Sequence, residues 1–135
     1  MGYKIVDIEG IGSAYAEKLD HANIKTTDDL LELCCSKKGR SEIAEKTGVS
    51  EKLLLGWANK ADLMRISGIG SEYADLLEAS GVDTVKELRN RNADNLATKM
   101  AEINEAKSLT RAIPSAKVVG DWISKAGEID PLISH

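Results

Sequence analysis

The chain contains a duplication. Residues 8–30 read IEGIGSAYAEKLDHANIKTTDDL and residues 66–88 read ISGIGSEYADLLEASGVDTVKEL. The two align without a gap at an offset of 58, with ten identities in 23 positions. A repeat this close means that one folded unit is used twice. A second match closes each unit: Trp57-Ala58-Asn59-Lys60-Ala61 against Trp122-Ile123-Ser124-Lys125-Ala126, now at an offset of 65. The second unit therefore carries about seven extra residues, expected in or beside 92–110. The expected units are 1–63 and 64–127, with a short tail at 128–135. At 135 residues the chain has room for these two small units and little else.

The apolar spacing reads as helix almost throughout. Tyr15, Ala16, Leu19 and Ala22 fall at helical intervals after Gly12. Ser13 and Thr26 or Thr27 are expected caps, with Asp28 and Asp29 placed favourably at a helix start. Ser36-Lys37-Lys38-Gly39 reads as a break, followed by a short helix over 41–46 that ends at Gly48. Ser50 caps a long helix over about 51–64, which doubles as the first helix of the second glycine turn. The second unit repeats the plan over 71–80, 84–90, 94–107 and 115–126, with Pro114 just ahead of the last helix, where proline is tolerated. The fold class expected is all-α, with eight or nine short helices. The expected core comprises Ile11, Leu19, Ile24, Leu30, Leu53, Leu54, Trp57, Ile69, Leu77, Val82, Leu88, Ile103, Leu109 and Trp122.

Composition excludes several functions. The mean hydropathy is −0.25, and no long uncharged apolar run is present, so no membrane span is expected. No basic-then-apolar leader opens the sequence, and a cytoplasmic setting is the expectation. Cys34 and Cys35 are adjacent, which opposes a bond between them and offers no disulfide framework. His21 and His135 stand at no recognisable spacing from these thiols, so neither a metal site nor a Cys–His nucleophile is expected. The G-x-G strings lack the strand and the GK[ST] signature of a nucleotide-binding loop. No enzyme activity, catalytic residue or cofactor is expected.

The two Gly-Ile-Gly strings carry the functional expectation. The first glycine of each, Gly10 or Gly68, can take a positive φ and turn the chain. The isoleucine can anchor the turn in the core. The second, Gly12 or Gly70, leaves bare amides at the start of the next helix, where the helix dipole favours an anion. Such a site ignores base identity and suits a phosphodiester oxygen. The other reading is that Gly-Ile-Gly is only a short joint between packed helices. A β-branched residue at Gly12 or Gly70 is expected to destabilise the turn and cover the amides.

The G-h-G string, the Ala16 and Leu19 positions after it and the apolar Ile24, repeated as Ala74, Leu77 and Val82, resemble the helix-hairpin-helix superfamily. Thr47-Gly48-Val49-Ser50 and Ala112-Ile113-Pro114-Ser115 look like degenerate second hairpins. With Asn104-Glu105-Ala106-Lys107 and Val119-Gly120-Asp121-Trp122, the whole chain looks like a bacterial family of tandem helix-hairpin-helix proteins that is defined as a domain of unknown function. The resemblance implies two fused helix-hairpin-helix units and a non-catalytic, sequence-independent grip on double-stranded DNA. Gly10, Gly12 and Ser13, with Gly68, Gly70 and Ser71, are the implied phosphate contacts. Lys18 could reach a neighbouring phosphate. Lys37, Lys38 and Arg40, with Arg89 and Arg91 in the matching part of the second unit, could form a basic stripe or be ordinary solvated charges.

Departures from that pattern are visible. Glu72 puts a carboxylate beside the second turn, Glu9 lies close to the first, and Leu76 replaces Lys18. The net charge is −4, and each half carries nine basic and eleven acidic residues, so neither half is a basic module. Aromatic residues are only 4%, too few for a base-stacking platform. These features favour the alternative, a protein-interaction or scaffold module with a protein partner.

Overall fold

The computed structural model describes residues 3–134, and His135 lies outside them. The described chain is all-helical, with eight α-helices and no strand. No helix among the described residues is long and apolar enough to cross a membrane. The chain divides into two compact units. One runs to Asp62 and takes in the chain end from Leu132; the other is Leu63–Pro131.

The first unit opens with a 3-10 turn, Ile5–Asp7, followed by α1 (Ser13–Asp20), α2 (Thr27–Cys34), α3 (Lys37–Thr47) and α4 (Glu51–Leu63), the last residue of which belongs to the second unit. Two successive backbone turns carry Ile5, Ile8 and Ile11 into the interior. The Ile8 amide donates to the Ile5 carbonyl at 3.2 Å, and the Ile11 amide to the Ile8 carbonyl at 3.1 Å. All three isoleucines are buried with Leu19, Ile24, Leu30, Leu54 and Trp57. Leu53 does not join them and is exposed, because the inward line of α4 runs through Leu54, Trp57, Ala58 and Ala61.

The second unit contains α5 (Ser71–Ala79), α6 (Val85–Arg89), α7 (Ala93–Lys107) and α8 (Ala116–Glu128). Its entry repeats the isoleucine ladder. The Ile66 amide donates to the Leu63 carbonyl at 3.1 Å, and the Ile69 amide to the Ile66 carbonyl at 3.0 Å. The α-helix expected to run up to the second glycine turn therefore ends at Leu63, and three-residue turns take over. The extra length of this unit lies between the caps Asn92 and Ser115, as a longer α7 and a longer link to α8. Asn104 holds that link. Its carboxamide receives the Thr110 amide at 2.9 Å and donates to the Thr110 carbonyl at 3.1 Å. Asn104 is buried in line with Leu96 and Met100, so Ile103 and Leu109, expected in the core, are only half-buried.

Helix starts are set by side-chain caps. Thr26, Ser36, Ser50, Thr84, Asn92 and Ser115 each accept the amide three residues on. Ser36 corrects one expectation: Ser36-Lys37-Lys38-Gly39 is the start of α3 and not a break. Gly39 fits there because a Cβ would collide with the Leu33 carbonyl oxygen.

At α2 the cap is reciprocal. Asp29 accepts the Lys25 amide at 3.0 Å and the Thr26 amide at 3.1 Å, and these bonds, the Lys25 amide foremost, hold its carboxyl below the ordinary 3.8. The matching Glu87 faces Asp83 in place of a lysine, shares a hydrogen bond with it, and is pushed up. A carboxyl lowered in the folded state stabilises fully above its unfolded value and loses that contribution as pH falls through the folded one. Asp29→Ala is expected to melt below the parent at pH 7. The gap should narrow as the pH is taken below about 4, read by thermal denaturation across pH.

Candidate functional site

The same constellation is built once in each unit. Gly10 has φ +95° and Gly68 has φ +96°, the left-handed region that glycine alone enters without strain. Each sits against a tryptophan. A Cβ on Gly10 would lie 3.7 Å from Trp57 Nε1, and one on Gly68 would lie 3.0 Å from Trp122 Nε1. Both tryptophans are buried. Each is met by a half-buried tyrosine from the helix after the turn. The Tyr15–Trp57 ring centroids are 5.1 Å apart at 66°, and those of Tyr73 and Trp122 are 5.2 Å apart at 55°. Tyr73 also donates its hydroxyl to the Ala112 carbonyl at 3.2 Å.

A lysine completes each set. Lys60 Nζ donates to the Glu9 carbonyl and Lys125 Nζ to the Ser67 carbonyl, each at 3.4 Å. These carbonyls immediately precede Gly10 and Gly68. Both lysines follow their tryptophan by three residues, on the same side of the helix. They were not among the expected site residues. The signal was present in the shared W-x-x-K spacing, but only the fold shows that this lysine reaches the glycine turn.

The second glycines behave otherwise. Gly12 has φ −84° and ψ −177°, and Gly70 has φ −94° and ψ −171°, extended backbone open to any residue. A Cβ on either would meet nothing within 4 Å. This corrects the expectation that a side chain there strains the turn; the conformational demand lies at Gly10 and Gly68. Gly12 and Gly70 are also the N-caps of α1 and α5, so these helix starts have no side-chain cap. The first intrahelical bonds are the Ala16 amide to the Gly12 carbonyl and the Ala74 amide to the Gly70 carbonyl, both 2.9 Å. The amides of residues 13–15 and 71–73 thus precede the helical ladder. Gly12 and Ser13 are exposed, Gly70 and Ser71 partly so, and Glu72 is exposed in the first turn of α5.

The basic candidates separate. Lys18 is exposed, with its ammonium 5.7 Å from the Tyr15 ring centroid. Leu76, at its repeat position, is fully buried, so the second unit has no cation there. Lys37 and Lys38 are exposed on the first turn of α3. Arg40 is a correction: it is only 3% exposed, and its guanidinium donates to the carbonyls of Cys34, Cys35 and Ser134 at 3.0, 3.3 and 2.7 Å. It ties backbone together and has no face for a phosphate. Arg91 donates to the Gly81 carbonyl at 2.9 Å and pairs with Glu87 at 3.7 Å. Arg89 is half-buried, with its Nε enclosed and lacking a partner among the described residues.

The thiols are unlike each other. Cys34 is buried, and desolvation pushes its pKa up to about 11, which opposes a reactive thiolate. Cys35 is partly exposed and contacts the Glu32 carbonyl at 3.8 Å.

A duplicated all-α chain with one glycine turn, one buried tryptophan and one lysine per unit is the class these observations define. The chain belongs to the family described as Domain of unknown function (DUF4332), which matches residues 9–129 and so takes in both glycine turns and both tryptophans. No solved structure matches the chain.

The division between the glycines can be measured. Gly10→Ala and Gly68→Ala are each expected to cost about 1–2 kcal/mol, from forcing an L-residue into left-handed backbone. Gly68→Ala should be the worse, because of Trp122. Gly12→Ala and Gly70→Ala are expected to cost less, about 0.5–1 kcal/mol, through loss of a favoured N-cap residue alone. Chemical denaturation of the four variants distinguishes the two classes.

Proposed function

We propose that the chain is a tandem helix-hairpin-helix module that binds the phosphate backbone of double-stranded DNA without sequence preference and without catalysis. The observation that carries this reading is Gly12, with its counterpart Gly70. Both positions hold glycine although their backbone is extended and the space above them is open. Neither close packing nor a positive φ requires glycine there, and a serine, threonine or asparagine, as at the other six helix starts, would cap the helix at least as well. A ligand approaching the first-turn amides of α1 and α5 does require it, because a side chain would stand in its way. The duplication of the arrangement supports two such contacts per chain.

Lysines supplement the amides. Lys60 and Lys125 lie at the two turns, and Lys18 adds a further charge at the first. Lys37 and Lys38 remain candidates for adjacent phosphates. Glu72 makes the second turn the weaker contact, since its carboxylate repels the same guest.

Fluorescence anisotropy of a labelled duplex, titrated at low salt, tests the reading. If about three phosphates are neutralised, log K should fall against log salt with a slope of roughly −3. Gly12→Val is expected to stay folded, melting only slightly below the parent because valine caps poorly, while weakening binding about tenfold or more. Two unrelated duplex sequences should bind alike. Parent protein that leaves the duplex unbound at high micromolar concentration, or Gly12→Val that binds as the parent does, would overturn it.

A further inference from the structure

The two units differ at one notch. In the first unit the place where α2 ends and α3 begins holds the chain's own Ser134, while Leu132 is tied to Asp62 of α4. The Ser134 amide donates to the Cys35 carbonyl at 2.8 Å and its hydroxyl to the same oxygen at 3.3 Å. Arg40 donates to the Ser134 carbonyl at 2.7 Å, and the Leu132 amide donates to Asp62 at 3.3 Å. Apart from the Ser134 hydroxyl, these bonds use main-chain groups of Leu132 and Ser134, so the notch offers partners to a peptide backbone.

The matching notch of the second unit lies where α6 gives way to α7. Ser36 and Asn92 are the corresponding caps, each accepting the amide three residues on. Counting from them sets Arg91 where the first unit has Cys35, Leu96 where it has Arg40, and Lys99 where it has Ile43. Here the notch is an open cavity of about 310 Å³. Arg91 and Lys99 bring two positive charges to its lining, and Asn90, Asn92 and Asn95 bring three carboxamides. No carboxylate is among the lining residues. Arg91 and Lys99 are both exposed; Arg91 is partly offset by Glu87, 3.7 Å away, and donates to the Gly81 carbonyl at 2.9 Å, so Lys99 is the charge less engaged within the unit.

We propose that this cavity is a docking site for an extended acidic peptide segment of a partner protein. The carboxamides offer both donors and acceptors to a peptide main chain, as the Cys35 carbonyl and Arg40 do in the first unit. Arg91 and Lys99 replace a backbone grip with a preference for carboxylate side chains. The site is separate from the glycine turns and does not depend on DNA binding.

The test uses the full chain, labelled with nitrogen-15, and a synthetic acetylated peptide of sequence Glu-Ile-Asp-Pro-Leu-Ile-Ser. This is the chain's own segment 128–134, which carries two carboxylates. The covalently attached tail holds the first notch at high effective concentration, so the free peptide reports on the second. Saturable shifts confined to Ser80 and residues 90–99 are expected. Lys99→Glu, or a peptide with both acids changed to amides, should weaken binding about tenfold or more. Gly12→Val should leave peptide binding unchanged, which separates this result from the fate of the DNA reading. Lack of saturable binding, shifts centred on Cys35 and Arg40, equal binding by Lys99→Glu, or shifts at residues 90–99 produced by duplex DNA and not by the peptide would each overturn the proposal.

Discussion

A glycine in left-handed backbone over a buried indole is the contact on which each unit is organised. At Gly10 and Gly68 the chain reverses with no side chain between it and the tryptophan. That approach lets Trp57 or Trp122 sit beneath the turn, lets the following tyrosine close on the indole, and brings the lysine one helical turn away up to the carbonyl before the glycine. A side chain in the first glycine position would be strained by the positive φ in both units and would also crowd the indole at Gly68. The exposed backbone of the turn is consequently the surface of a rigid, packed assembly and not of a mobile loop.

That rigidity bears on how an anion could be held. Amides at a helix start bind well when they are already oriented, since little ordering remains to be done on association. Six of the eight helices meet this need internally with a serine, threonine or asparagine cap. The other two, α1 and α5, begin at glycine. The chain therefore carries the side-chain solution at most helix starts and omits it at the two that follow the glycine turns. The net charge of −4 sets the opposing condition: any hold on a polyanion must come from local geometry, because the long-range field does not draw it in.

The repeats have diverged where packing allowed it. Leu76 is core where the first unit has the exposed Lys18, in the unit whose α5 packs against the longer α7. At the α2–α3 notch, Arg40 became a buried clamp for three carbonyls and for the end of the chain, while its counterpart Leu96 joined the interior and left the notch beside it open. Equivalent positions of the two units thus serve as an internal tie in one and border a cavity in the other.

Much was legible from the residues alone. The repeat, the helical class, the turn glycines and the buried Ile11, Leu19, Trp57, Ile69, Leu77 and Trp122 follow from periodicity and local backbone preference, which act over a few residues and leave a pattern in the sequence. What the tertiary structure decided depends on partners distant along the chain. Arg40 reads as a surface cation until Ser134 is seen beside it, 94 residues away. Nothing in the sequence pairs Asn104 with the Thr110 backbone or Lys60 with the Glu9 carbonyl, contacts that only the fold makes. The positive φ at Gly10 and Gly68 follows from the motif, whereas the open space at Gly12 and Gly70 and the indole beneath the first glycines do not, because burial and close approach are set by the whole packed unit and not by neighbours in sequence.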